Sequence, residues 1–298
     1  MIRSSYGLAL LLVGCSGAAD GETDAIASGL LGARSIAATP DYVFVRTSDG
    51  LVRFDKDGGN RTVVHGATNL RLTVRSDALY FTDAEGTWIC VGGDDPVLLS
   101  AEHYSDYSRF DVEEGLGAIW FPWTGRIHVL SLDGVDRNSI TVADRIAYVH
   151  DVAIVGDRML YAGDDDTTYL TSLTDGQIAT HGIDAEDVQR NDTDFYVLDR
   201  SRLYRLGPDE TEPREVTAVD AFSVLGVGPL GAVVHLEDDA GERGLVLFRS
   251  EGDVSVPIAL PGELVAVTDG VAVDDEAVYV VAREPSGGEE SSLFRIEP

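Results

Sequence analysis

Apolar residues in this chain come in short runs, and the runs recur as a phrase. The central run of each copy is DYVFV around Phe44, DALYF around Tyr80, GAIWF around Trp120 and RMLYA around Tyr161. It continues with DFYVL around Tyr196, GAVVHL around Val234 and EAVYVV around Tyr279. The intervals between these anchors are 36, 40, 41, 35, 38 and 45 residues, about 39 on average. A second run follows each anchor, from GLVRFDKDGG and TWICVGGDD to SLFRIEP. A third, such as RLTV or DVAIV, usually precedes it, and a fourth, such as RTVVH or PVLLS, often closes the copy. The runs are rich in β-branched and aromatic residues and are divided by Asp-Gly, Gly-Gly or Pro turns, so they are predicted to be strands. No stretch carries a sustained helical stripe with caps.

Runs such as ALYF and AVYVV are apolar at every position, as in a sheet covered on both faces. A four-stranded sheet of about 39 residues cannot cover itself; radial stacking lets each copy cover its neighbours. The expectation is an all-β fold over residues 24–298: a seven-bladed β-propeller of four-stranded antiparallel blades. A β-sandwich, with fewer and non-repeating strands, and a β-helix, with a period nearer ~20, fit the pattern less well. The last copy stops at Pro298 after its third strand, while DAIASGLL (Asp24 to Leu31) precedes the first copy. An N-terminal strand completing the last blade is therefore expected to close the ring.

Copies two, four, five and seven come nearest to the phrase Asp-x-x-hydrophobic-Tyr followed by Arg-hydrophobic-x-x-Asp-Gly; copy six has Val234 in place of the tyrosine. This phrase resembles the repeats of bacterial exported propellers of the NHL, YVTN and related groups, and lacks the His and Asp-Trp ends of WD40 repeats. The resemblance implies architecture and little about function.

The first residues change the picture of where such a domain works. MIRSSYGLALLLVGCSG has Arg3, an apolar run from Leu8 to Val13, and then Gly14-Cys15. That run is much shorter than the ~20 apolar residues a membrane-spanning helix needs, and its flanks fit an export signal. Leu12-Val13-Gly14-Cys15 resembles the lipobox of bacterial lipoproteins. The resemblance implies a signal peptide over 1–14, a lipidated Cys15, a linker over 15–23 and, with Ser16 after the cysteine, transfer to the outer membrane. A plain secretory signal with an incidental cysteine is the alternative. Cys90 is the other cysteine, so no internal disulfide is expected, and its place in TWICV suggests a small buried side chain.

Charge narrows the partners. The chain has 52 acidic and 22 basic residues, a net charge of −30, and Lys56 is its single lysine. Such a surface repels phosphate backbones, which argues against nucleic acid. It suits basic proteins, cationic ligands or metal ions, or simply keeps a monomer soluble.

Candidate chemistry gathers where second-to-third strand loops and interblade links meet on one face. Asp164, Asp165 and Asp166 lie in one such loop, Asp238, Asp239, Glu289 and Glu290 in two others. They read as calcium ligands, as a surface for a basic partner, or as solvated turns, since the alternating spacing of a calcium loop is absent. DKDGGN (Asp55 to Asn60) comes nearest to that spacing and also reads as an ordinary hairpin turn. Glu113 and Asp151, with Glu114, Asp187 and Asp274, fall near inner strands and are further candidates for a metal in the channel. His103, Tyr104, Tyr107, Trp123, Tyr148 and His150 would form a rim suited to a sugar or peptide, or else pack between blades. No histidine pair has metal-ligand spacing, and no nucleophile elbow or phosphate loop occurs. The expected function is a non-catalytic, lipid-anchored module holding an envelope protein, peptide or glycan. The alternative is a calcium-dependent hydrolase, lactonase or lyase with its site at the channel mouth.

Overall fold

In the computed structural model the described residues are 25–298, apart from 69, 101–108, 114–115, 122–125, 132–136, 142–148, 175, 200–201, 218–220, 238–242, 252–253 and 287. The strands fall into seven four-stranded sheets with antiparallel neighbours throughout. The chain begins with β1 (Ala25–Leu31) and then builds its first sheet from β2 (Ser35–Ala38), β3 (Tyr42–Thr47), β4 (Gly50–Asp55) and β5 (Thr62–His65). The second holds β6 (Arg71–Arg75), β7 (Ala78–Thr82), β8 (Thr87–Val91) and β9 (Val97–Ser100). The third holds β10 (Arg109–Glu113), β11 (Leu116–Phe121), β12 (Arg126–Ser131) and β13 (Arg137–Thr141). Next come β14 (Val149–Val155), β15 (Arg158–Gly163), β16 (Thr168–Ser172) and β17 (Ile178–His181). The fifth sheet is β18 (Ala185–Arg190), β19 (Phe195–Asp199), β20 (Arg202–Leu206) and β21 (Arg214–Thr217). The sixth is β22 (Ala221–Gly228), β23 (Gly231–Glu237), β24 (Arg243–Arg249) and β25 (Ser255–Ile258). Finally β26 (Val265–Val273), β27 (Val278–Arg283) and β28 (Glu290–Ile296) are joined by β1 at the outer edge.

These sheets are the blades of an all-β propeller. The first strand of each contacts the first strands of its neighbours: β2 meets β6, β6 meets β10, and so on to β26, which touches both β22 and β2. The core lies between blades, and the strand pattern explains why. Val43 and Val45 of β3 join Tyr279, Val281 and Leu293 of the adjoining blade, while Phe44 turns the other way to Leu79, Phe81 and Cys90. Along β27, Tyr279 and Val281 feed one interblade core, and Val278, Val280 and Ala282 feed the next. Alternate side chains thus enter different cores, so successive positions in the centre of a middle strand are apolar.

The strand added from the N-terminal side is held on several counts. β1 pairs antiparallel with β28, Leu31 opposite Glu290, and its Leu30 is fully buried. Gly58, at a left-handed φ of +86°, lies so close that a Cβ there would fall 1.8 Å from the Ile26 carbonyl oxygen. Any side chain would push β1 off its neighbour. On the same seam Lys56 Nζ reaches Asp274 Oδ2 at 2.5 Å, joining the first sheet to the one that β1 completes. Asp274 also accepts from the Glu276 and Ala277 amides. Burial pushes its carboxyl pKa up, but the Lys56 and backbone hydrogen bonds outweigh this and hold it below the ordinary value of 3.8.

Candidate functional site

The first strands enclose a bore of about 1050 Å³ with unlike ends. At the end where these strands finish, ion pairs span it. Arg190, the last residue of β18, places Nε 2.9 Å and Nη2 3.1 Å from the two carboxylate oxygens of Asp111 on β10. The same Nη2 donates to the Val112 carbonyl at 2.7 Å and to the Val74 carbonyl on β6 at 3.4 Å. Asp111 also accepts from the Thr73 hydroxyl and the Ile154 amide, so one carboxylate gathers donors from three sheets besides its own. Beside it Arg75, closing β6, pairs with Glu113 and with Asp192. Burial raises the Glu113 pKa above its usual value, although Arg75 and Arg190 oppose the shift. Burial alone would lower the Arg190 pKa; Asp111 more than reverses this, and its charge is secure.

Nearer the start of these strands, carboxylates face one another. Asp151 of β14 accepts from the Val152 amide at 2.9 Å and the Val188 amide at 3.5 Å. Asp187 of β18 hydrogen-bonds Asp151 and accepts from Gln189 Nε2 at 3.2 Å. Its pKa is driven well above 3.8, first by burial and then by the Asp151 charge and hydrogen bond, with Asp269 adding to the push. Facing carboxyls disfavour each other's ionisation, which is the sense of this shift. Asp269, exposed and at a left-handed φ of 56°, completes the acidic mouth.

The residues singled out from sequence are distributed unevenly. Asp164 and Asp166 are exposed in the loop between β15 and β16, whereas Asp165 accepts from the Tyr169 hydroxyl at 2.5 Å. Burial and that bond push the Tyr169 pKa up to about 12. Of the channel metal candidates, Asp151 and Asp187 meet at the acidic mouth, Glu113 belongs to the braced end of the bore, Asp274 pairs with Lys56, and Glu114 lies outside the described residues. Among the described residues no three His, Cys, Asp or Glu side chains cluster as a metal site. The DKDGGN segment closes as a hairpin turn, with Asp57 accepting from the Gly59 amide and Asp55 from Asn60. Cys15, His103, Tyr104, Tyr107, Trp123, Tyr148, Asp238 and Asp239 lie outside the described residues, as does the side chain of His150, whose backbone belongs to β14.

Sequence reasoning missed the arginines. Arg75 and Arg190 end equivalent runs, LTVRSD and DVQRND, and a basic residue recurring just before an acidic turn was the available signal. It also missed an interblade lock in which Asp83 accepts from His65 at 2.6 Å, from Trp88 Nε1 at 3.0 Å and from the Glu85 and Gly86 amides. Burial pushes the Asp83 pKa up, but these donors outweigh it and hold the group below 3.8.

No family model and no curated protein sequence matches the chain. Solved structures do. The WD40 β-propeller domain of Doa1 is 17% identical at a TM-score of 0.59, over 91% of this chain and 97% of that one. The RRP9 WD40 repeats are 10% identical at a TM-score of 0.61, over 93% and 100%. PorZ, described as an essential bacterial surface component of the type-IX secretion system of Porphyromonas gingivalis, is 13% identical at a TM-score of 0.60. The match covers 92% of this chain, which spans 39% of the PorZ chain. At these identities the likeness is one of fold: a β-propeller with WD40-like structural neighbours.

Proposed function

We propose that the protein is a non-catalytic binding scaffold whose acidic mouth receives a Lys- or Arg-bearing segment of a partner protein. The state of Asp187 carries this reading. Burial first, then the Asp151 carboxyl and the charge of Asp269, raise its pKa well above the ordinary value, against the lowering effect of the Gln189 amide. An ammonium or guanidinium entering the mouth would relieve that repulsion and restore the charged form, so a cation gains more here than on an ordinary acidic surface. The braced far end fixes the strands that present these groups. WD40 propeller domains among the structural neighbours fit a scaffold role.

The domain reads as a closed wheel of seven blades, a count supported by the seven sheets and by the contact of β26 with β2. Kinship with NHL and YVTN propellers rests on the strand phrase, and a net charge of −30 favours a monomer. The LVGC motif supports lipidation at Cys15 and display at the outer membrane. Cys15→Ser is expected to move the protein from membrane to soluble fractions; continued retention would refute the anchor.

Calorimetric titration with an arginine-rich peptide at fixed salt tests the binding role. Saturable binding is expected, weakened about tenfold or more in Asp151→Asn/Asp269→Asn, since charge-assisted contacts are lost. Equal binding by the variant would refute the site.

A further inference from the structure

On this strongly acidic protein, arginines ordinarily find carboxylates. Arg61, Arg75, Arg158, Arg190, Arg202, Arg205 and Arg295 each pair with an Asp or Glu. Arg34, Arg71 and Arg283 are different: among the described residues they have no ion-pair or hydrogen-bonding side-chain partner, and all three line the same cavity. That cavity, of about 860 Å³, lies where the sheets containing β27, β3 and β6 meet, and Asp269 lines both it and the bore. Arg46 lines it too, its guanidinium donating to the Thr68 and Leu70 carbonyls.

Acids are also present in the walls, and they decide which ligand fits. Asp83 is occupied by His65, Trp88 and two turn amides, which leaves little of it for a ligand. Asp269 and Glu289 remain, and with Asp83 included the walls carry four arginines against three acids. The local charge is positive, against a whole-molecule charge of −30. Guanidinium forks match the oxygens of carboxylate and phosphate in pairs, and several forks around one cavity favour a ligand with more than one oxyanion. The Ser48 and Thr68 hydroxyls in the walls add short donors of the kind such oxygens accept.

We propose that this cavity is a binding site for a small multivalent oxyanion, a polycarboxylate or phosphorylated compound, held by Arg34, Arg46, Arg71 and Arg283. It adjoins the acidic mouth, sharing Asp269 and Arg71 with the bore, and is opposite in sign. Neighbouring sectors of the propeller thereby take ligands of opposite charge.

The test is calorimetric titration of the full exported chain with citrate, inorganic phosphate and pyrophosphate in separate runs, at ~0.1 M salt so that long-range repulsion is screened. Saturable binding of citrate, of pyrophosphate, or of both is expected, and the preference between them identifies the oxyanion. Arg34→Gln/Arg71→Gln, which alters exposed side chains, is expected to weaken that binding about tenfold or more. Arg61→Gln, removing an arginine already paired with Asp49, is expected to leave it unchanged. A preserved melting curve for the double variant shows that it folds; Arg283→Gln replaces it should the melt change. No saturable binding of any probe, or equal loss in Arg61→Gln, would overturn the proposal. Peptide binding at the mouth is read separately, so the two sites stand or fall independently.

Discussion

Glu113 and Asp151 are both carboxylates on first strands, at opposite ends of the bore, and the structure uses them oppositely. Glu113 and its neighbour Asp111 meet arginines that cross from other sheets. Asp151 meets Asp187, another carboxyl. The first arrangement spends charge on holding sheets together, and the second leaves repulsion that a cation would relieve. Being a carboxylate on a first strand does not by itself make a brace or a receptor; the sign of the nearest partner does.

Removing the brace should cost most. Arg190→Leu leaves Asp111 buried, with 6% of its side chain exposed, and takes away the guanidinium that compensates it. A loss of about 3–5 kcal/mol is expected, read as a large fall in denaturation midpoint. A midpoint near wild type would show that the cross-bore pairs are incidental.

The pH dependence of stability separates the two carboxylate classes without mutation. Asp187 and Glu113 have folded-state pKa values above their unfolded ones, so the folded state binds their protons more readily. Their contribution therefore improves as pH falls from neutral toward the ordinary carboxylate range. Asp83 and Asp274 have folded values below 3.8 and stabilise above it; that contribution is lost as pH falls through their folded values. Melting temperature should rise on mild acidification and drop steeply below about pH 4. A monotonic fall from neutrality would contradict the assignment of Asp187 and Glu113.

Asp187→Asn should have the smallest effect on stability and the more specific one on binding. It puts a neutral amide of the same shape where the carboxyl already resists ionisation, so the midpoint should stay within about 1 kcal/mol of wild type or rise. Arginine-rich peptide should bind several-fold more weakly. A destabilisation comparable to that of Arg190→Leu would erase the distinction between the two ends.

Much of the architecture was visible in the residues. Phe44, Tyr161 and Tyr279 mark middle strands because each interblade core draws on alternate positions, which leaves an all-apolar run. Asp24 to Leu31 was readable as the added outer strand because the last copy stops short, and β1 pairs there with β28. The bore was harder to read. Arg190 reaches an aspartate 79 residues earlier, and such a pairing leaves no local spacing to recognise. Asp164 to Asp166 looked like a cluster because they adjoin in sequence. In the loop they separate, two outward and one onto Tyr169, because successive residues of a turn point in different directions. The arginine cavity collects side chains from three sheets, so its members are far apart in the chain.

The most direct test of the cation-binding mouth is proton release. Peptide binding is titrated calorimetrically in two buffers of different ionisation enthalpy, at a pH between the ordinary carboxylate value and neutrality. A cation that restores the charge on Asp187 must expel its proton, so the two heats should differ, and the difference should vanish in Asp187→Asn. Equal heats in both buffers for the wild-type protein would contradict the account.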